Sequence, residues 1–137
     1  MFERCLYFNT NSLARNLNSI WEKKFSQLSL PPSHAYLLRL VLQTPGLTQQ
    51  EITKELRLNK STVTRFIFAL EKKGLLERKE TIEDQRQRIV IPTEKALSLH
   101  QELEMLGDEL YSSVCETLGR DVVESFVKTA RLLNEKL

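Results

Sequence analysis

The sequence predicts a mainly α fold carrying one small β ribbon, and three observations predict it. Two short helices meet at a brief connection within residues 48–73. A two-strand pattern with a charged tip follows at once, over 75–91. Apolar seams of period three and four occupy both ends of the chain. With 4 Gly and 4 Pro among 137 residues, most of the chain is free to be helical.

Residues 2–27 read as a first helix. Leu6, Leu13, Leu17 and Ile20 form its stripe, and Trp21 and Phe25 widen it. A helix this apolar beside a terminus needs cover, either from the rest of the chain or from a second copy. Pro31-Pro32 breaks the chain. Ser33 is the expected cap of a helix over 34–43, with Leu37, Leu38, Val41 and Leu42 apolar. Thr44-Pro45-Gly46 ends it, and Leu47 is a candidate minimal strand beside the ribbon.

Thr48-Gln49-Gln50-Glu51 is a capping box, in which Thr48 caps the helix start and Glu51 reaches back. Ile52 and Leu56 give the short helix its stripe, and Leu58 is expected to pack the turn. Asn59, or else Ser61 or Thr62, caps the following helix. Val63, Phe66, Ile67 and Leu70 define its buried face, and Gly74 ends it behind a Lys pair. Two helices so closely joined fit a helix-turn-helix. Residues 75–80 and 87–91 are the strands. The connection over 81–86 is polar and too long for a two-residue hairpin, so it projects as a loop.

Pro92-Thr93 opens a long helix capped by Thr93. Its seam is Ala96, Leu99, Leu103, Leu106 and Leu110. Gly119 interrupts, and a last helix from Arg120 carries Val123, Phe126, Ala130, Leu133 and Leu137. A single small core cannot cover the seams of the first and the last two helices together, so a homodimer is expected in place of a monomeric bundle.

Composition narrows the function. A hydrophobic content of 41% suits one compact domain, or a domain with arms that need a partner. No apolar run is long enough to cross a bilayer, and the charged start MFERCLYFNTNS lacks the core of a secretory signal. Two distant Cys argue for a reducing cytoplasm over a disulfide scaffold. The net charge is only +2, but residues 57–88 hold nine of the 20 Lys/Arg and five of the 18 Asp/Glu. That gives the segment +4 and the remainder −2, the footprint of a nucleic-acid reader. No Gly-rich phosphate loop, nucleophile–base spacing or paired carboxylates in an apolar setting are seen, so no enzyme is expected.

The polar face at the start of the second short helix carries Lys60, Ser61, Thr62, Thr64 and Arg65. Hydroxyls and cations at a helix N-terminus suit phosphates and base edges in a major groove. Gln49 and Gln50 are candidate phosphate contacts. Arg86 on the projecting loop suits a narrow minor groove, with Asp84 orienting it through a charge-assisted hydrogen bond and Arg88 beside it. A surface salt bridge of little energetic value is the bland alternative for Asp84 and Arg86.

In order and spacing, Gly-Leu-Thr-Gln-Gln-Glu, Ser-Thr-Val-Thr-Arg, Leu-Glu-Lys-Lys-Gly-Leu, Asp-x-Arg and Thr-Glu-Lys resemble the MarR family of winged helix-turn-helix transcription regulators. The resemblance covers about 50 contiguous residues. It implies a winged helix-turn-helix core over 31–92, with three helices and a two-stranded wing. It implies a helical dimerisation part over 1–30 and 93–137, the whole forming one MarR-like domain. The implied partners are double-stranded DNA with a palindromic operator, a second copy and a small-molecule effector. Two recognition helices would then lie about 34 Å apart, one DNA turn. The protein is expected to act as a repressor that the effector releases, without a cofactor. A winged-helix protein-interaction module that binds no DNA is the rival of another class. Phe68 departs from the family, which usually has a polar residue there. It either packs on another helix or meets a thymine methyl.

Family resemblance puts effector pockets in the cleft between core and dimer helices, where Asn11, Arg15, His34 and Leu38 are the candidates. Arg15 pairing with an acidic residue of the long helix is the alternative. Some MarR-like regulators sense peroxides through a first-helix Cys, in some paired with one near the last helix. Cys5 and Cys115 lie close to those regions, which leaves a thiol-based peroxide-sensing repressor as an alternative. Cys5 is displaced, however, and Pro32, Ser33, His34 and Ala35 stand where supporting tyrosines are usual. Others bind zinc, but His34 and His100 lie far apart and no His/Cys pair has ligand spacing, so no metal is expected.

Overall fold

A computed structural model of the chain describes residues 1–84 and 86–137. Six helices and three strands follow one another: α1 (Leu6–Phe25), α2 (Pro32–Gln43), β1 (Leu47–Thr48), α3 (Gln49–Leu56), α4 (Lys60–Lys72), β2 (Leu76–Glu80), β3 (Arg88–Pro92), α5 (Glu94–Leu118) and α6 (Arg120–Lys136). A 3-10 turn, Ser26–Leu28, closes α1. The chain divides into two compact units, 1–104 and 105–137.

In the first unit, α4 lies between α2, α3 and the sheet. Val63, Ile67 and Leu70 are buried, as the spacing predicts, while Phe66 is only half-buried. Leu37, Leu38, Val41, Ile52, Leu75, Leu76 and Val90 complete that core with Phe25. The ribbon has a third strand. β1 pairs with β3 through Leu47↔Val90, and β2 with β3 through Arg78↔Val90, all antiparallel in the order β1-β3-β2. Gly74, at φ 73°, adopts the left-handed conformation that turns α4 into the sheet. Thr93 locks this corner: its hydroxyl donates to the Gly74 carbonyl at 2.6 Å and accepts from the Ala96 amide at 3.2 Å.

Several local expectations need correction. The first helix starts at Leu6, not at residue 2, because Cys5 caps it: Sγ accepts from the Phe8 amide at 3.4 Å. The Asn9 amide folds the preceding residues back through the Phe2 and Cys5 carbonyls. Ser33 is not the cap of α2. The helix begins at Pro32, since a proline at the first helical position lacks only an N–H that would go unpaired and already has helical φ. Leu58 does not pack the turn and is 37% exposed. The backbone makes that turn instead, with Arg57 left-handed at φ 55° and the Leu58 amide donating to the Thr53 carbonyl.

The seams at the chain ends are covered unequally. On α5, Ala96, Leu103, Leu106 and Leu110 are buried. On α1 only Phe25 is buried, and Leu6 and Ile20 stay exposed. In the second unit α6 has no buried residue, and Phe126, Val127 and Leu132 are about half exposed.

The first unit also holds an ion pair with good geometry. Arg39 Nε donates to Glu104 Oε1 at 3.1 Å and Nη2 donates to Oε2 at 2.9 Å, while Gln43 adds a third donor at 3.3 Å. The guanidinium lies over the Tyr36 ring, whose hydroxyl accepts from Trp21 Nε1. Hydrogen bonds from Arg39 hold the Glu104 carboxyl below its ordinary 4.5. A lowered carboxylate pKa stabilises the fold above the unfolded value and loses that effect as pH falls through the folded one. Arg39→Ala is therefore expected to cost about 1–2 kcal/mol in urea unfolding at pH 7, with the difference from wild type shrinking below pH 4.5.

Candidate nucleic-acid interface

Two caps aim the helix starts outward. Thr48 Oγ1 accepts from the Glu51 amide at 3.2 Å and the Glu51 carboxylate accepts from the Thr48 amide at 2.8 Å, so the expected capping box is complete. Asn59 Oδ1 caps α4 by accepting from the Thr62 amide at 2.8 Å, and it also accepts from the Ser61 hydroxyl. Neither Ser61 nor Thr62 is the cap. Gln49 Nε2 donates to Thr64 Oγ1, tying the start of α3 to α4. Lys60, Ser61, Thr64 and Arg65 are exposed, and Thr62 is half-buried.

A shallow cavity of about 560 Å³ opens beside these starts, lined by Thr48, Gln49, Gln50, Thr53, Lys60, Arg86, Gln87 and Arg88. It brings together five of the expected residues from three separate places: Gln49 and Gln50 on α3, Lys60 on α4, Arg86 and Arg88 on the wing. Three cations around two outward helix starts suit a polyanion. Thr48, Thr53 and Gln87 complete the lining beyond the expected contacts. Gln87 belongs to the wing by sequence alone, but nothing in the α3 pattern marks Thr53 as facing the wing. Asp84 orients the loop through the main chain: its Oδ1 accepts from the Arg86 backbone amide at 2.9 Å. Thr81 Oγ1 accepts from the Asp84 amide and completes that turn.

The MarR family model matches residues 30–87, which hold the α4 face and all of this cavity's lining except Arg88. Over this stretch the chain matches the MarR family. It is 25% identical over 96 residues to an uncharacterized HTH-type transcriptional regulator, YybA, of Bacillus subtilis (strain 168). That match spans 70% of this chain and 64% of the relative. The fold is shared with the transcriptional repressor CouR bound to a 23-mer DNA duplex, at TM-score 0.88 and 21% identity, covering 97% of this chain and 94% of that one. It is shared too with BpsR of Bordetella bronchiseptica, whose DNA binding is regulated by 6-hydroxynicotinic acid, at TM-score 0.89 and 16% identity, covering 98% and 96%. By name, YybA is a transcriptional regulator and CouR a transcriptional repressor.

The residues expected to line a MarR effector cleft differ in their exposure. Leu38 is fully buried in the core. Asn11 is exposed and its side-chain amide donates to the Tyr7 carbonyl of its own helix. Arg15 is exposed, and Arg39, not Arg15, is the cation paired with Glu104 of the long helix. The two thiols are free and half-buried, Cys5 in the first unit and Cys115 in the second. Cys115 hydrogen-bonds Tyr111, which raises the phenol pKa.

His34 packs against α4 on the side of Phe66. Its ring lies 4.6 Å from that of Phe66, and its buried Nδ1 finds no hydrogen-bond partner among the described residues. Burial, and then the positive charge of Lys73, push its pKa below the ordinary 6.5. The unfolded chain thus binds the proton first, and stability falls as pH drops through 6.5. Urea midpoints measured against pH are expected to show this fall in wild type and to lose that component in His34→Gln.

Proposed function

We propose that this chain is a MarR-type homodimeric regulator that binds duplex DNA with a palindromic site. The carrying observation is the basic cavity formed by Lys60, Arg86 and Arg88 at the starts of α3 and α4. In this reading α4 enters the major groove with Lys60, Ser61, Thr62, Thr64 and Arg65. Gln49 and Gln50 hold phosphates, and Arg86, its loop set by Asp84, reaches the minor groove. Phosphate contacts fix register, and the α4 side chains read base edges.

The exposed apolar residues support the dimer. A 17-residue helix with no buried side chain, and Phe126, Val127 and Leu132 half exposed, leaves apolar area uncovered on α6. The α1 residues Leu6 and Ile20 do the same. Two copies joined by these helices would offer two α4 helices to successive major-groove faces. Repression relieved by a small-molecule effector is the regulatory reading, in keeping with BpsR. It requires an effector that prefers one separation of the two α4 helices over another. No helix is long and apolar enough to cross a membrane among the described residues, and the reading assigns the protein to the cytoplasm.

Selection of bound duplexes from a random pool tests this. The enriched site is expected to be an inverted repeat, bound by a dimer in sedimentation. Affinity should fall steeply with salt, by a log–log slope of about −0.9 per phosphate contact. Arg65→Ala and Arg86→Ala should each weaken binding about tenfold or more and flatten the slope by about one. A protein that stays single at micromolar concentration and enriches no duplex would overturn the proposal.

A further inference from the structure

Phe68 is 55% exposed on the helix that the proposed function sends into the major groove. Its direction is set by the core. At about 100° per residue, Phe68 points within roughly 20° of Ser61 and about 60° from Arg65, and lies opposite Val63 and Leu70. Those two are fully buried, so Phe68 cannot turn inward without exposing them. Ser61, Thr64, Arg65, Phe68 and Lys72, all exposed, form one continuous stripe with Phe68 at its centre. Lys72 Nζ lies 5.1 Å from the Phe68 ring centroid, so the ring has a cation at its side on this helix.

The chemistry of the stripe is otherwise polar. Ser61, Thr64 and Arg65 can donate to phosphates and base edges, and a phenyl ring can do neither. The apolar group that the major groove displays is the 5-methyl of thymine. Phe68 lies about 10 Å along the helix axis from Ser61, roughly three base-pair steps, so it samples a different base pair from the helix start. A core role is excluded by the direction of the ring, and the adjacent cations fit a polyanion better than an apolar protein surface.

We infer that Phe68 is a specificity-determining residue that reads the 5-methyl group of one thymine in each half-site. The inference rests on the DNA-binding reading and refines it. The ring loses exposed area only where that methyl is present, so the contact discriminates thymine from a pyrimidine without the methyl. The hydrogen bonding of the base pair plays no part in it.

Deoxyuridine provides the test, because it removes the methyl and leaves the pairing intact. A duplex enriched by the wild-type dimer is resynthesised with each thymine replaced in turn by deoxyuridine. Wild type is expected to lose about three- to fivefold in affinity at one position per half-site. Phe68→Ala should bind the thymine and deoxyuridine duplexes equally at that position, and should keep the salt slope, since no phosphate contact is lost. The inference is overturned if no single replacement moves wild-type binding by more than about twofold, or if Phe68→Ala keeps the wild-type sensitivity. It is overturned equally if Phe68→Ala dissociates the dimer, which would make the ring a contact between copies. Failure to enrich any duplex would remove the DNA-binding reading itself, and this inference with it.

Discussion

The burial of one stripe on α4 orients everything around it. Val63, Ile67 and Leu70 are exposed by no more than 1% each, against α2, α3 and the sheet. Truncating any one of such side chains costs about 2–5 kcal/mol, a large part of the stability of a domain this size. A slip of α4 by one residue would rotate it by about 100° and exchange apolar for polar on the core side. The helix is therefore held in one orientation by forces that involve no ligand. The polar stripe opposite it inherits that rigidity.

Weaker interactions refine what packing sets. The caps by Thr48 and Asn59 each contribute about 1 kcal/mol, and they fix where each helix starts. That placement puts Gln49, Gln50 and Lys60 on the same cavity as Arg86 and Arg88. Asp84 acts through main chain, holding the Arg86 amide. The cations gain little from one another at the surface. Their clustering is costly to the isolated protein and favourable beside a polyanion, which is why it supports a nucleic-acid partner better than a structural role.

The helices at the chain ends present a different problem. Their apolar residues exceed what each helix buries. On α5 the seam from Ala96 through Leu110 is covered, with Leu99 half-buried, but on α6 nothing is. Arg39, Glu104 and Gln43 secure the upstream half of α5 to α2 through three hydrogen bonds to the Glu104 carboxylate. Rigidity of that joint matters for any regulator whose affinity depends on the separation of two recognition helices, since a loose joint would transmit no preference.

What the sequence determined by itself was the order and kind of elements, because periodicity and capping are local. The stripe on α4, the Thr48 box, the Leu47 strand and the Thr93 cap could all be read from spacing within one or two turns. The polar residues of α4 could be read in the same way, since whatever lies opposite a buried stripe must be exposed. Contacts distant in sequence were decided only by tertiary structure. The pairing of Arg39 with Glu104 spans 65 positions, and no pattern distinguishes Arg39 from Arg15 as the partner. Leu38 is buried in the core, and its apolar character fits a pocket wall and a core equally, so only packing on every side separates them. Thr53 joins the basic cavity, and His34 packs against Phe66 with its ring tilted, for the same reason: each depends on where a second element lies, which local free energy along one helix does not specify.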